Sequence, residues 1–141
     1  MKILPISEDF VRIVDSTWKF SEEGSEVFIR ELLKRHPSVV LTTNSGQHVG
    51  HMMGQGFGAI GMLYVQQEFR RKGYAKVIVS QLAQKYFDEG EDAYVVIEKD
   101  NSASMNLHLS VGFKVVPDIQ LAWMRYIPKC SCKCMTKKCC V

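Results

Sequence analysis

Cysteine is absent from the first 129 residues of this 141-residue sequence, and all five cysteines lie between residues 130 and 140. A body without cysteine has no disulfide framework, which is compatible with a reducing compartment. Apolar residues make up 46% of the chain and there are only four prolines, so the composition excludes a disordered chain. No apolar stretch approaches membrane-spanning length, and charged residues interrupt the first twenty positions, where a signal peptide needs an apolar run. We therefore expect a folded cytoplasmic protein, with a mitochondrial location left open although no clear transit peptide is present.

A strong excess of one charge is also missing from the body of the chain. The formal net charge is +3, but the last thirteen residues carry four lysines and no acid, so residues 1–128 have a net charge of −1. Proteins that bind nucleic acid usually carry a strongly basic face. The sequence therefore predicts one domain over residues 1–128 that does not bind nucleic acid, followed by a Cys/Lys-rich tail over residues 129–141.

The tail, KCSCKCMTKKCCV, lacks the spacings of the common cysteine sites. Paired C-x2-C knuckles for zinc are missing, so no metal is predicted, and Lys138 occupies the position where a prenylation box needs cysteine. Cysteines beside lysines can be acylated for membrane attachment, which leaves lipidation of the tail as an alternative. The favoured interpretation is a disordered appendage without a folded role, and an altered C-terminal coding end is another alternative.

Hydrophobic periodicity predicts an α/β protein in the order strand, two helices, three strands, helix, strand, helix, two strands. The helices are expected to begin near Ser7 or Asp9, at Ser25, near Tyr74 and at Ser102. The strands correspond to the N-terminal stretch around KIL and to SVVLTT, HVGHMM, AIGMLYV, AYVVIE, FKVVPD and IQLAWMRYI. The run AYVVIE, residues 93–98, is almost continuously apolar and predicts a strand covered on both faces.

The glycines at residues 56–61 match the dinucleotide pattern GxGxxG. That pattern binds a pyrophosphate only when a helix follows the glycines, and here the strand-like MLYV follows instead. We therefore interpret these glycines as a hairpin turn.

The stretch QEFRRKGYAK, residues 67–76, places three cations and a glycine between an apolar strand that ends at Val65 and a helix that begins near Gly73. Backbone amides at a helix start lack intrahelical partners and lie at the positive end of the helix dipole. Glycine lets a ligand approach the backbone closely, and the neighbouring cations can pair with phosphate oxygens. The stretch therefore predicts a pyrophosphate-binding corner.

Two motifs in this order resemble the GNAT acyltransferase superfamily. Arg70-x-x-Gly73-x-Ala75, entered from Leu63-x-Val65, is similar to the acetyl-CoA signature of that superfamily. Asn101-x-x-Ser104-x-x-Leu107, which leads to Gly112-Phe113, resembles its later motif. The order of elements matches as well, from near residue 2 to near Pro128. The resemblance implies a single GNAT-type domain with a mixed central sheet of about seven strands flanked by about four helices.

The resemblance also implies an acyl-CoA cosubstrate, either acetyl-CoA or another acyl-CoA. In the family the fourth and fifth strands splay apart, and their free backbone groups hold the thioester carbonyl and the pantetheine arm. The cofactor-binding residues implied here are Leu63, Val65, Arg70, Arg71, Lys72, Gly73, Tyr74, Ala75, Asn101 and Ser104.

Attack of an amine on a thioester requires a proton acceptor, because only the neutral amine is a nucleophile. Glu98, at the end of the AYVVIE run, is the first candidate, and Asp100 is the second; the alternative for Glu98 is an exposed carboxylate at a strand end. Many superfamily members have a tyrosine four residues before the Gly-Phe pair as the acid that protonates the departing thiolate, and this chain has His108 there. Histidine can serve that role near neutral pH, and the alternative is a histidine on the solvated side of a short helix.

A narrower resemblance points to the glycine N-acyltransferase-like group. It rests on Trp18-Lys19-Phe20, His36-Pro37, the compact GAIGMLYV strand, Trp123 and Pro128. This group implies a small amine acceptor such as glycine or another amino acid. A non-catalytic acyl-CoA-binding module remains the alternative, because His108 replaces the usual tyrosine.

His48 and His51 fall in the central hairpin, which flanks the acceptor side in this fold. Side chains alternate between the two faces of a strand, so residues three apart are expected on opposite faces. A metal shared by these two histidines is therefore not expected, although one of them could line the acceptor pocket.

Overall fold

The computed structural model describes residues 1–117, 119–122 and 124. Its α-helices are α1, Glu8–Thr17; α2, Ser25–Arg35; α3, Tyr74–Asp88; and α4, Ser102–Ser110, with a short 3₁₀ turn at Gln67–Phe69 before α3. All four predicted helices are present close to their predicted bounds. Strong local signals explain this agreement: the α1 pattern buries Val11 and Val14, acidic residues occupy the first turns of α1 and α2, and Pro37 follows the end of α2.

Four strands form an antiparallel sheet in the order β1, Lys2–Leu4; β2, Ser38–Thr42; β3, His48–Gly54; and β4, Ile60–Val65. Gly56 and Gly58 of the GxGxxG pattern lie in the turn between β3 and β4, and Gly61 is the second residue of β4. Gln55 N donates to the Ala59 carbonyl oxygen at 2.7 Å, and Gly58 adopts a φ of +89°. The interpretation of these glycines as a hairpin turn is therefore confirmed.

The sheet separates two apolar clusters, which we call the α3-side and α1/α2-side clusters. β2 is fully buried, and its alternating side chains contribute to both clusters. Val39 and Leu41 face α3, whereas Val40 faces the other helices. The buried α3-side members are Val39, Leu41, Val49, Met52, Ile60, Val65, Ile78, Val79, Leu82 and Tyr86. Those on the other side are Ile6, Val11, Val14, Ile29, Leu32, Val40 and Met53.

Residues 93–98 are not a strand, although their apolar run predicted one covered on both faces. One backbone hydrogen bond, from Ile60 N to the Tyr94 carbonyl oxygen at 2.9 Å, ties the start of this segment to the start of β4. Burial alternates along the segment: Ala93 and Val95 pack on the α3-side cluster, whereas Tyr94 and Val96 are exposed. The segment therefore covers the core with one face only, and its apolar composition gave no sign of this.

The predicted mixed sheet of about seven strands is not confirmed over the described residues. Residues 113–117, 119–122 and 124 contain no strand, and the rest of the two last predicted strands lies outside the described residues. The tail over residues 129–141, with its cysteines, also lies outside them. None of the described helices combines the length and apolar character needed to cross a membrane.

Candidate functional site

The basic corner lies between the end of β4 and the start of α3, as the sequence predicts. Gly73 is the residue before the first turn of α3 and has a φ of +83°, a conformation that favours glycine. Arg71 is also left-handed, with a φ of +59°. A Cβ added at Gly73 would meet no atom within 4 Å, so the space over the first amides of α3 is open. These amides are therefore accessible to an anion.

The three cations of the corner have different environments. Arg70 Nε donates to the Val65 carbonyl oxygen at 2.9 Å, and its guanidinium lies 5.6 Å from the centre of the Tyr64 ring. Lys72 Nζ donates to the Glu68 carbonyl oxygen at 2.9 Å. Arg71 has no hydrogen bond or ion pair from its side chain within the described part of the chain. Two of the cations thus hold the loop, and Arg71 is free to meet a ligand.

A cavity of about 230 Å³ lies at this corner and joins the two sequence motifs. Leu107 of α4 closes it opposite the start of α3. Its lining residues are Val65, Phe69, Arg70, Arg71, Gly73, Tyr74, Ala75, Lys76 and Leu107. Six of the residues predicted to bind the cofactor therefore line one cavity, and Lys72 lies in the loop beside it.

The edge of β4 that faces residues 95–98 is open. Among the described residues, the bond from Ile60 to Tyr94 is the single backbone hydrogen bond between β4 and residues 93–98. The register between β3 and β4 shifts between His51 and Met53, and Met62 has a φ of +53° at this irregularity. Residues 62–65, which include Leu63 and Val65, thus form no backbone hydrogen bond with residues 95–98 in the part of the chain that the structure describes.

Asn101 and Ser104 are used locally to build α4. Ser104 N donates to Asn101 Oδ1 at 3.0 Å, so the asparagine side chain caps the helix. The Ser104 carbonyl oxygen in turn accepts a hydrogen bond from the His108 ring at 2.8 Å. The Asn101 amide nitrogen has no hydrogen-bond partner among residues 1–117, 119–122 and 124, so it can contact a ligand.

His108 is buried, with 3% of its surface exposed, so the alternative of a histidine on the solvated side of the helix is wrong. Its Nδ1 donates to the Ser104 carbonyl oxygen, and its Nε2 is buried without a partner among the described residues. The ring also packs edge-on against Phe113 at 5.3 Å. With Nδ1 as the donor, the neutral ring carries a bare lone pair on Nε2. His108 can therefore donate a proton from Nε2 only in its imidazolium form.

Glu98 and Asp100 are both exposed. The Glu98 carboxylate forms an ion pair with the Lys19 ammonium, which comes from the segment between α1 and α2. The Asp100 carbonyl oxygen accepts a hydrogen bond from Ser102 N at 3.1 Å in the turn before α4. The two candidate bases thus lie close in sequence at one surface, and Lys19 is a neighbour that the sequence did not indicate.

The expectation that His48 and His51 lie on opposite faces is wrong. Leu41 is opposite Gly50 whereas Thr42 is opposite His48, so Val49 is an extra residue that reverses the alternation. As a result His48 Nε2 lies 3.0 Å from His51 Nδ1. Burial, together with the neighbouring His48, lowers the pKa of His51 to about 3. The pair lies beside Tyr64 of β4, since the rings of His51 and Tyr64 stack at 5.8 Å.

Within the described ranges, no further metal ligands accompany these two histidines. Gln66 Nε2 lies 3.3 Å from His48 Nδ1, and Phe10 of α1 packs against the His48 ring. No group of three or more His, Cys, Asp or Glu side chains that could hold a metal ion occurs in the part of the chain that the structure describes.

Comparison with known protein families identifies the family of this chain. The model of a family described as FR47-like protein matches residues 40–124, which is more than half of the chain and spans both motifs. The chain belongs to the FR47-like family. Comparison with curated protein sequences gives no match.

Solved structures share the fold of this FR47-like chain. An aminoglycoside 6'-N-acetyltransferase from Acinetobacter haemolyticus, AAC(6')-IG, is 19% identical with a TM-score of 0.72, covering 89% of this chain and 99% of that one. AAC(6')-Iy, in complex with the bisubstrate analogue CoA-S-monomethyl-acetylneamine, is 15% identical with a TM-score of 0.71, covering 89% and 98%. A Drosophila protein is 20% identical with a TM-score of 0.70 over 80% of this chain, which spans 39% of that protein's length. The chain therefore has the mixed α/β fold of GNAT acetyltransferases.

Proposed function

We propose that this FR47-like chain is an N-acyltransferase that moves an acyl group from acyl-CoA to the amine of a small acceptor. The observation that carries the proposal is the corner at the start of α3. There the accessible helix amides and the Arg71 side chain border a cavity that is also lined by Leu107 of α4. The AAC(6')-Iy structures, one with CoA and one with a bisubstrate analogue that contains CoA, support this cosubstrate.

The cofactor would lie along the corner and the open edge of β4. The amides of Gly73, Tyr74 and Ala75, together with Arg71, suit the pyrophosphate, because helix dipole and guanidinium both favour an anion. Arg70 and Lys72 keep the loop in shape through their bonds to backbone carbonyls. The backbone of Leu63 and the amide of Val65, whose carbonyl oxygen already accepts from Arg70, suit the pantetheine and the thioester carbonyl, together with Asn101 and Ser104 at the start of α4.

The acceptor would approach from the α1/α2 side. Glu98 lies there with Lys19, and beside this pair the Trp18 ring contacts the rings of Phe20 and Phe28. In the proposed reaction Glu98, or Asp100 if Glu98 is held by Lys19, accepts the proton of the acceptor ammonium. The neutral amine attacks the thioester, and the thiolate leaves unaided or takes a proton from imidazolium His108. The glycine N-acyltransferase-like subtype, with glycine or another amino acid as acceptor, is the finer form of this proposal.

A non-catalytic acyl-CoA-binding module is the second candidate. Two observations favour it: the Lys19 ammonium already neutralises Glu98, and neutral His108 has no proton on Nε2 to give to a thiolate.

The test is release of CoA thiol from a panel of acyl-CoAs with small amines, glycine and other amino acids included. Catalysis predicts thiol release that needs both the protein and an amine and that saturates with acyl-CoA. An enzyme of this class typically turns over at about 1 to 10³ s⁻¹. Binding of acyl-CoA without amine-dependent thiol release would instead establish the binding module.

A further inference from the structure

Lys19 has an environment that suits the amine of an acceptor. Its ammonium pairs with the Glu98 carboxylate and lies 4.8 Å from the centre of the Phe20 ring. A carboxylate and an aromatic face are the two groups that attract an alkylammonium ion. Lys19 is itself a primary alkylamine, so an amine of this chain occupies the place where the proposed function puts the acceptor's amine.

A lysine of α2, Lys34, offers a close comparison. Lys34 of α2 forms an ion pair with Glu31 at 2.6 Å, and its side chain is 68% exposed against 58% for Lys19. The two lysines therefore share an exposed side chain and a carboxylate partner. They differ in that the partner of Lys19 is the candidate general base, and that this partner lies in the segment bordering the open edge of β4.

We propose that Lys19 is a site of self-acylation by the acyl-CoA bound at the corner, an inference that rests on the proposed function. The Lys19 ammonium gives one proton to Glu98, and the neutral nitrogen attacks the thioester carbonyl carbon. The C–S bond breaks as the amide C–N bond forms, and the second nitrogen proton passes to the departing thiolate. The products are N-acylated Lys19, CoA thiol and one proton that Glu98 returns to water.

Self-acylation removes the charge of Lys19 and with it the ion pair to Glu98. The modified side chain is a neutral amide, and Glu98 loses its cation. The modification therefore changes the charge of the acceptor side by one unit without an added ligand.

The experiment incubates the full chain with acetyl-CoA in the absence of added amine and follows acetylation of each lysine by peptide mass spectrometry. Lys19 is expected to be labelled at least about tenfold faster than Lys34, because bound thioester and amine react within one molecule. The rate should be independent of protein concentration and should saturate with acetyl-CoA. Glu98→Gln should slow labelling of Lys19 by about 10²-fold and leave Lys34 unaffected.

Two controls separate this reaction from chemical acetylation. S-acetyl-N-acetylcysteamine, a thioester without the nucleotide, should label Lys19 and Lys34 alike. Lys19→Arg should lose the fast label while keeping a cation for Glu98.

Equal labelling of Lys19 and Lys34 by acetyl-CoA would overturn the proposal. So would an unlabelled Lys19 in a protein that releases thiol with added amines, an outcome that leaves the proposed function standing. Failure of both reactions overturns the two together.

Discussion

Replacing Glu98 by glutamine is expected to lower kcat by about 10²- to 10⁴-fold, the usual contribution of a general base. Glutamine keeps the shape of the side chain but cannot accept the proton of the acceptor ammonium. The affinity for CoA should change little, because Glu98 lies with Lys19 and not among the residues that line the corner cavity. The rate of the variant should still rise at high pH, where more of the acceptor amine is neutral. Steady-state kinetics against pH, with calorimetry for CoA, measures both effects.

Two further carboxylates serve as comparisons for this variant. Glu91→Gln removes the same charge from an exposed position upstream of residues 93–98 and should leave kcat unchanged. Asp100→Asn tests the second candidate base. Full activity in Glu98→Gln together with a large loss in Asp100→Asn would move the role of the base to Asp100. Unchanged kcat in His108→Asn would show that the thiolate leaves without a proton from His108.

Acid is expected to destabilise the fold through the buried pair of His48 and His51. The pKa of His51 is lowered to about 3 in the folded protein, whereas the unfolded chain binds the proton near pH 6.5. Between these values the unfolded state holds more protons, so the stabilising effect of the neutral ring is present above pH 6.5 and is lost as the pH falls. The loss is up to about 1.4 kcal/mol for each pH unit below 6.5. Urea unfolding at a series of pH values from 7.5 downward measures this slope.

His51→Asn should reduce that slope, because it removes the group that must stay neutral. Val40→Ala is the matched control: Val40 lies opposite His51 on β2 and is buried, so its truncation removes apolar contacts but no titrating group. The control should lower the free energy of unfolding at every pH and keep the wild-type slope. An unchanged slope in His51→Asn would show that other groups dominate acid unfolding.

The elements and the corner could be predicted because their signals are local. Apolar positions three and four apart specified the helices, and glycine-rich turns separated β2, β3 and β4. The corner could be predicted because its residues lie within about ten positions of one another. The start of a helix after a strand also has a defined geometry. The approach of Leu107 to the start of α3 was not predicted, because it depends on the packing of two segments that are distant in the sequence.

The features that were missed depend on contacts between distant residues or on a single inserted residue. The contact of His48 with His51 arises from the bulge at Val49, and no local pattern announces a bulge there. Lys19 and Glu98 are 79 residues apart, so their ion pair could not be read from either segment. The apolar run at residues 93–98 could not reveal that only one of its faces packs on the core. His108 is polar, so the pattern of α4 did not assign it to the buried face.

The central claim is that CoA binds at the corner, and calorimetric titration of CoA into Gly73→Val tests it most directly. Gly24→Val is a matched control, since Gly24 also precedes a helix, has a φ of +89° and has no atom within 4 Å of an added Cβ. Both variants carry the same backbone strain, but only the valine at position 73 enters the space over the first amides of α3. We predict that Gly24→Val binds CoA like the wild type, while Gly73→Val, folded by circular dichroism, loses at least about tenfold in affinity, or roughly 1.4 kcal/mol. Equal affinity in a folded Gly73→Val protein would contradict the account.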